Sequence, residues 1–262
     1  MENPDENIRL ERKTREKAVL DQAVWAGIKP GMRVLDAGCG PGKTTSILRR
    51  HIQPGGSIVG VDYSEKRIEY AKKKYGGNSN IDFFLHDIRL PMDNMGMFDA
   101  IWVRFVLEYN RDESFKILQN LSSNLKSGGC MCVIDLDYNC LTHYHLPPTM
   151  EVSLSKIAAI LEERHNFDPY IGRKLFSYLY DLAYEKIKVD VRAHHLFYGG
   201  IEENDVFNWR KKMEMAASVG KESLDEHPGG ASGFIREFMR FLLDPRRFTY
   251  TPMILCKGIK PA

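Results

Sequence analysis

The sequence predicts an α/β protein whose mainly parallel sheet is covered by helices on both faces. Three observations carry that prediction. Short apolar runs alternate with amphipathic segments between Met32 and Asp137. Several of these runs are apolar through their whole length, the pattern of strands buried on both faces. The first run, "MRVLD", passes at once into "AGCGPG", a knot of glycines that opens the next helix.

Taken in order, residues 8–26 read as a helix, with Leu10, Thr14, Ala18, Val19 and Gln22 to Trp25 tracking a 3.6-residue period, and "KPG" (Lys29 to Gly31) breaks it. "MRVLD" is then a strand and "KTTSILRRH" a helix. "SIVGVD" (Ser57 to Asp62) is a second strand, followed by the helix "SEKRIEYAKKKY" with Ser64 placed to cap it. "IDFFLHD" (Ile81 to Asp87) is the third strand and "FDAIWVRF" (Phe98 to Phe105) the fourth. A helix from Arg111 to Leu125 and an "SGG" turn lead into the fifth strand, "CMCVIDLD". Beyond residue 140 the rhythm changes. "MEVSLSKIAAILEERH" and "GRKLFSYLYDLAYE" are helical, "KIKVDVRAHHLFY" (Lys186 to Tyr198) is a long strand, and helices follow at Glu202 to Val219 and Gly233 to Leu243. "FTYTPMILCKGI" closes the chain as a strand, and "HPGGASG" (His227 to Gly233) reads as a hinge loop.

A chain of 262 residues, 43% hydrophobic, can bury one large core, with or without a helical cap. The net charge of +2 gives no chain-wide electrostatic footprint for nucleic acid, and "AKKKY" (Ala71 to Tyr75) reads as a solvated helix face. The five cysteines fit no disulfide framework, and Cys130 and Cys132, two apart in an apolar run, read as core thiols rather than metal ligands. The charged N-terminus lacks the apolar stretch of a signal peptide, and no window approaches the ~18 apolar residues of a membrane span. These features predict a soluble, cytoplasmic protein with no membrane partner and no metal.

The glycine turn lies where open parallel sheets bind ligands, beyond the carboxyl ends of their strands. Gly38, Gly40 and Gly42 let backbone approach a ligand closely. A dinucleotide turn needs G-x-G-x-x-G, but the third glycine position is Lys43. A P-loop fails too, because the residue five before Gly42 is Ala37. Asp62, at the end of the second strand, can accept both hydroxyls of a ribose, which fits NAD and adenosylmethionine alike. Asp87 can accept an adenine amino group, with Tyr63 and Ile88 on either side of the ring. Asp36 has a local alternative, satisfying backbone N–H groups near its strand end.

"VLDAGCGPG", Asp62, Asp87 and "FDAIWVRFVLEY" together resemble the class I S-adenosylmethionine-dependent methyltransferases, in particular the small-molecule and ubiquinone-biosynthesis-like branch. The resemblance covers about residues 30–140. It implies a Rossmann-like sheet of seven strands with the last antiparallel, S-adenosylmethionine as cofactor and a small-molecule methyl acceptor. It further implies that backbone at Gly38, Cys39 and Gly40 lies against the methionine moiety. Asp62 would then hold the ribose, Tyr63 stack on adenine, and Asp87 and Ile88 contact the adenine edge and face. Arg104 and Phe105 would flank the methionine end, Arg104 neutralising its carboxylate. The family joins its last two strands by a short hairpin, whereas about fifty residues intervene here.

The resulting plan is a binding core over 1–140, cap helices and a core helix over 141–185, a core strand over 186–200, a helical cap insertion over 201–245 and a terminal strand over 246–262. Two insertions on one side of the core point to an enclosed small-molecule pocket. Methyl transfer from a sulfonium requires alignment more than a fixed base, so no dyad is expected. His143, Tyr144 and His145, just past the fifth strand, are candidate catalytic residues or simply loop residues. His194 and His195 alternate along a strand, so at most one faces the pocket. "VRFVLEY" lacks the proline motif of amide and base-nitrogen methylation. "DLDYN" is not an EF-hand, since Cys140 and Leu146 stand where glycine and glutamate are needed. Rival readings are a nicotinamide-dependent oxidoreductase, an RNA or protein methyltransferase, and a non-catalytic cofactor-binding protein.

Overall fold

A computed structural model describes residue 11 and residues 14–262. Of the helix predicted over residues 8–26, Glu11 and Glu16–Ala26 are helical. α1 spans Glu16–Ala26, the extended backbone at Arg15 precedes it, and residues 8–10, 12 and 13 lie outside the described residues. Then come β1 (Arg33–Ala37), α2 (Lys43–His51), β2 (Ser57–Asp62), α3 (Glu65–Tyr75), β3 (Ile81–Leu85), β4 (Phe98–Arg104), α4 (Ser114–Ser123) and β5 (Leu125–Leu136). The second part comprises β6 (His143–Tyr144), α5 (Pro148–Arg164), α6 (Leu175–Asp181), β7 (Glu185–Phe197), α7 (Glu203–Val219), α8 (Gly230–Leu243) and β8 (Phe248–Ile259). Several boundaries move: α4 is shorter at both ends than Arg111 to Leu125, and α8 begins at Gly230, inside the stretch read as a hinge loop. β3 stops at Leu85, so His86 and Asp87 belong to the loop beyond it. The "SGG" segment sits inside β5, where the pairing with β4 breaks register after Leu125.

The sheet runs β3-β2-β1-β4-β5-β8, parallel up to β5, with β8 antiparallel to β5. β7 pairs antiparallel with β8 along nearly its whole length. Thr249 of β8 pairs with Phe197 of β7 and with His143 of β6. A strand has two edges, so β6 occupies the edge opposite β7, where β8 runs on past the end of β5. The sheet is therefore seven long strands with the two-residue β6 as an extra pairing. The order reverses between β1 and β4, and ligand-binding loops are expected at the carboxyl ends beside that point.

Alternation along the strands sorts the core onto two faces. Val34, Ile58, Trp102, Ile134 and Leu255 pack with Val19 and Ala23 of α1, Ile47 and Leu48 of α2 and Ile68 of α3. Leu35, Val59, Ile101, Val133 and Cys256 pack on the other side with Ile117 and Leu121 of α4 and Leu175 and Leu179 of α6. Each such side chain contributes about 1.5–3 kcal/mol by leaving water. A third cluster joins Met150, Leu154 and Ile157 of α5 to Trp209 and Met213 of α7 and Phe234, Phe238 and Leu242 of α8. No helix among the described residues is long and apolar enough to cross a membrane.

Gly42 shows why the turn needs glycine. Its φ is +85°, and a Cβ there would lie 2.9 Å from both Ala71 Cβ and Phe83 Cζ. The absent side chain lets α2 enter against α3 and β3. Gly42→Ala combines left-handed strain with overpacking and should lower the unfolding free energy by about 2–4 kcal/mol in urea titrations. An unchanged midpoint would remove the close-approach role.

Candidate functional site

The site forms where β1, β2 and β4 end. Asp62 closes β2 and is only 4% exposed. One carboxylate oxygen accepts the Gly40 N–H at 2.9 Å and the other accepts the Ser64 N–H at 3.0 Å, with Arg67 Nη1 3.9 Å away. One side chain therefore fixes both the glycine turn and the start of α3. The Gly38 and Cys39 N–H groups both donate to Val61 O, at 2.8 and 2.9 Å, and the Gly42 N–H donates to Cys39 O at 3.1 Å. A Cβ on Gly38 would collide with the Val106 side chain, so the turn is pressed against the loop after β4. A Cβ on Gly40, at φ +55°, would meet nothing within 4 Å. Open space lies there. Cys39 is buried with its sulfur against Gly60, and burial raises its thiol pKa well above the ordinary range.

Beneath the turn, Asp36 is buried and accepts the Thr45 hydroxyl at 2.6 Å. Burial pushes its pKa up to about 7 against the pull of Thr45 and Arg104. Its partner is thus a side-chain hydroxyl rather than the backbone N–H groups of the local sequence reading. Arg104 ends β4. Burial draws its pKa down to about 10 although Asp36 and Asp135 hold it up. Its Nε donates to Gln22 Oε1 at 3.0 Å, and its guanidinium lies 4.2 Å over the Phe105 ring. Gln22, buried on α1, also reaches Met253 Sδ at 3.5 Å. Sequence reading gave Gln22 no role, because nothing local announces that α1 crosses the end of β4. Phe105 sits at φ +58°, a left-handed position that turns the chain out of the sheet.

The loop after β4 is held by a second buried carboxylate. Asp135 Oδ2 accepts the N–H groups of Val106, Leu107 and Glu108 at 3.2, 2.9 and 3.3 Å. Burial, and then the proximity of Glu108, raises the Asp135 pKa well above the usual carboxylate range.

The remaining sequence-predicted residues are less concentrated. Tyr63 is 66% exposed beside Asp62, and Ile88 is buried in the second core face. Asp87 grips Arg89 through Nε at 2.9 Å and Nη2 at 2.6 Å, and that pairing lowers its pKa. The i,i+2 spacing in "DIR" was the signal for this pairing. His143 lies in the cap's aromatic cluster, 5.9, 5.7 and 5.4 Å from the rings of Trp209, Phe238 and Phe241. Its Nε2 donates to Cys140 O at 2.9 Å, which leaves Nδ1 to accept from Thr249 Oγ1 at 3.0 Å. Both nitrogens are occupied, and burial lowers its pKa to about 4. Tyr144 and His145 are exposed. The expected alternation of His194 and His195 fails, because the β7–β8 register shifts between Ala193 and His195. That bulge brings the two rings within 4.3 Å, with His194 against Phe105 (4.7 Å) and His195 against Trp209 (5.6 Å). Clefts of about 360 and 290 Å³ on the protein contain none of the sequence-predicted site residues.

A sheet in this order, with a glycine turn and an acidic residue at the next strand end, is the architecture of the class I S-adenosylmethionine-dependent methyltransferases. Residues 28–198 match the family model described as "Methyltransferase domain", and the chain belongs to that family. It is similar to the demethylmenaquinone methyltransferase of Lactococcus lactis, 31% identical over 117 residues, covering 44% of this chain and 46% of that protein. The chain spans about half the length of the curated relatives it matches. Among solved structures, a methyltransferase candidate from Bacillus halodurans superposes with a TM-score of 0.61 at 14% identity, covering 94% of this chain and all of the other (100%). Coclaurine N-methyltransferase bound to N-methylheliamine and SAH gives a TM-score of 0.56 at 19% identity, over 93% and 72% of the two chains. At these identities the structures share the fold.

The titration of His143 has a measurable consequence. Its folded pKa of about 4 lies below the unfolded value near 6.5, so the unfolded chain binds more protons in between. Its contribution to stability is complete above pH 6.5 and is lost as pH falls towards 4, by roughly 2–3 kcal/mol at most. Asp36, raised from 3.8 to about 7, slopes the other way, destabilising the fold as pH rises through that range. The difference between wild type and His143→Asn isolates the histidine. The variant should lose the acid-side decline in melting temperature between pH 6.5 and 4, and parallel curves would show that His143 is not held neutral.

Proposed function

We propose that this chain transfers a methyl group from S-adenosylmethionine to a small organic acceptor. The observation that carries the reading is where the glycine turn sends its N–H groups. A dinucleotide turn offers them to a pyrophosphate. Here those of Gly38, Cys39, Gly40 and Gly42 are bonded to Val61 O, Asp62 and Cys39 O, and Pro41 has none. What the turn presents is space beside Gly40 and a carboxylate behind it. That setting suits hydroxyls and an ammonium group and opposes a diphosphate.

On this reading the Gly38–Gly40 backbone lies against the methionine moiety and Asp62 accepts from the ribose hydroxyls with its remaining lone pairs. Tyr63 is available to stack on adenine beside Ile88. Asp87 meets the adenine edge only in competition with Arg89. Arg104, steadied by Gln22, balances the cofactor's carboxylate, and Phe105 borders the reacting end. The cofactor supplies a methyl group already activated on a sulfonium, so the protein's share is to align the acceptor and exclude water. With His143 engaged at both nitrogens and Tyr144 and His145 exposed, none of the three stands out as a base. The third cluster of buried residues, over α5, α7 and α8, is the cap that encloses the acceptor. The match to a quinone-type methyltransferase supports a small acceptor.

Asp62→Asn should weaken S-adenosylmethionine binding about 10- to 100-fold in calorimetry, the range for bonds to a charged acceptor. Unchanged affinity, or a wild type that binds NAD in preference, would overturn the assignment.

A further inference from the structure

Three arginines in this protein grip carboxylates in the same way. Arg89 holds Asp87, Arg173 holds Asp137 and Arg246 holds Asp244, each through the edge formed by Nε and Nη2. Arg247 departs from this. It is 1% exposed, and its Nη1 donates to Gly199 O at 3.0 Å. Its Nε and Nη2 are buried with no hydrogen-bond partner among the described residues. The nearest acid in its field, Asp244, is committed to Arg246. A buried guanidinium with an empty fork is costly, and such groups are retained where a ligand completes them.

Its position gives the ligand a direction. Arg247, Thr249, Thr251 and Met253 are buried, whereas Phe248 and Tyr250 between them are exposed. From Arg247 to Met253 is about 20 Å of extended chain. Met253 at the far end accepts from Gln22, which steadies Arg104. Midway, the Thr251 hydroxyl is buried without a partner among the described residues, as is the indole N–H of Trp209 in the cap. His195, which pairs with Thr251 across the strands, touches the Trp209 ring. Polar groups unpartnered among the described residues therefore punctuate the interface between β8 and the cap, and the charged one stands at the end of the row opposite Met253.

We propose that the methyl acceptor lies along this row beneath the cap and bears a carboxylate or phosphate, which Arg247 grips through Nε and Nη2. The term acceptor rests on the methyltransferase reading; the anion site does not. The planar fork suits either oxyanion, and the probes separate them.

The test uses the full chain, wild type and Arg247→Met, with benzoate, phenyl phosphate and the neutral benzyl alcohol as probes. In calorimetry, at least one anion should bind wild type tenfold or more tightly than benzyl alcohol, and Arg247→Met should abolish that preference. S-adenosylmethionine affinity should stay within threefold, and the variant should melt no lower than wild type, since an unpaired buried cation has been removed. Benzyl alcohol binding as well as both anions, or an anion preference that survives in Arg247→Met, overturns the site. A variant that melts several degrees lower, with no anion preference in wild type, makes Arg247 a prop for Gly199 instead. In a second arm, methyl-labelled S-adenosylmethionine is incubated with a deproteinised extract of the source cells. Labelled product should be retained on an anion exchanger and be lost with the variant. Label in a neutral or cationic product overturns the acceptor assignment. No label from a wild type that binds S-adenosylmethionine counts against the methyltransferase reading, and the anion site is then decided by calorimetry.

Discussion

One carboxylate sets the frame for the rest of the site. Asp62 is fixed at the end of a central strand by the parallel pairing of β2 with β1 and β3, and its two oxygens reach in different directions. One locks Gly40, the residue with open space beside it, and the other locks the entry to α3. The free energy of a single hydrogen bond of this kind is modest, about 1.5–3 kcal/mol with a charged partner. Its structural effect is larger, because it consumes the N–H that would otherwise make the turn an anion receptor. The same residue that gives the turn its shape thereby withholds the Gly40 N–H from any other acceptor.

Asp135 repeats the device one layer away, taking three consecutive N–H groups of the loop after β4. The two carboxylates hold the glycine turn and the loop after β4. Gly38 and Val106, one from each, meet so closely that a side chain on the glycine would have no room. Arg104 feels Asp36 and Asp135, and its pKa is lowered by burial while those two acids oppose that.

Much of this was legible in the sequence, for identifiable reasons. β2, α2 and β8 match their predicted ranges because their apolar runs are bounded by glycine, proline or charged residues. The glycine turn and Asp62 were legible because close backbone approach beside a strand-end carboxylate constrains residue type at fixed spacing. What was hidden depended on non-local geometry. Gln22 acquires its role only when α1 crosses β4. The alternation of His194 and His195 is broken by a bulge that is defined by the partner strand, not by β7 itself. Nothing in the sequence singles out Arg247, and only its burial and empty fork distinguish it from Arg246 beside it.

The cap core has a bearing on how the molecule assembles. Its buried residues come from two chain segments, around 140–161 and 197–242, on either side of β7. Neither segment carries enough apolar surface of its own to form that core. The β7–β8 ladder that brings them together pairs residues far apart in sequence, such as Val189 with Cys256. Loop closure over such a span is entropically costly and slow relative to local helix formation. The strand-and-helix core up to β5 is thus free to condense first, and the α5–α7–α8 cluster acquires its shape only when β8 has paired with β7. A chain in which β8 is not yet in place would hold the glycine turn with that third cluster still unassembled.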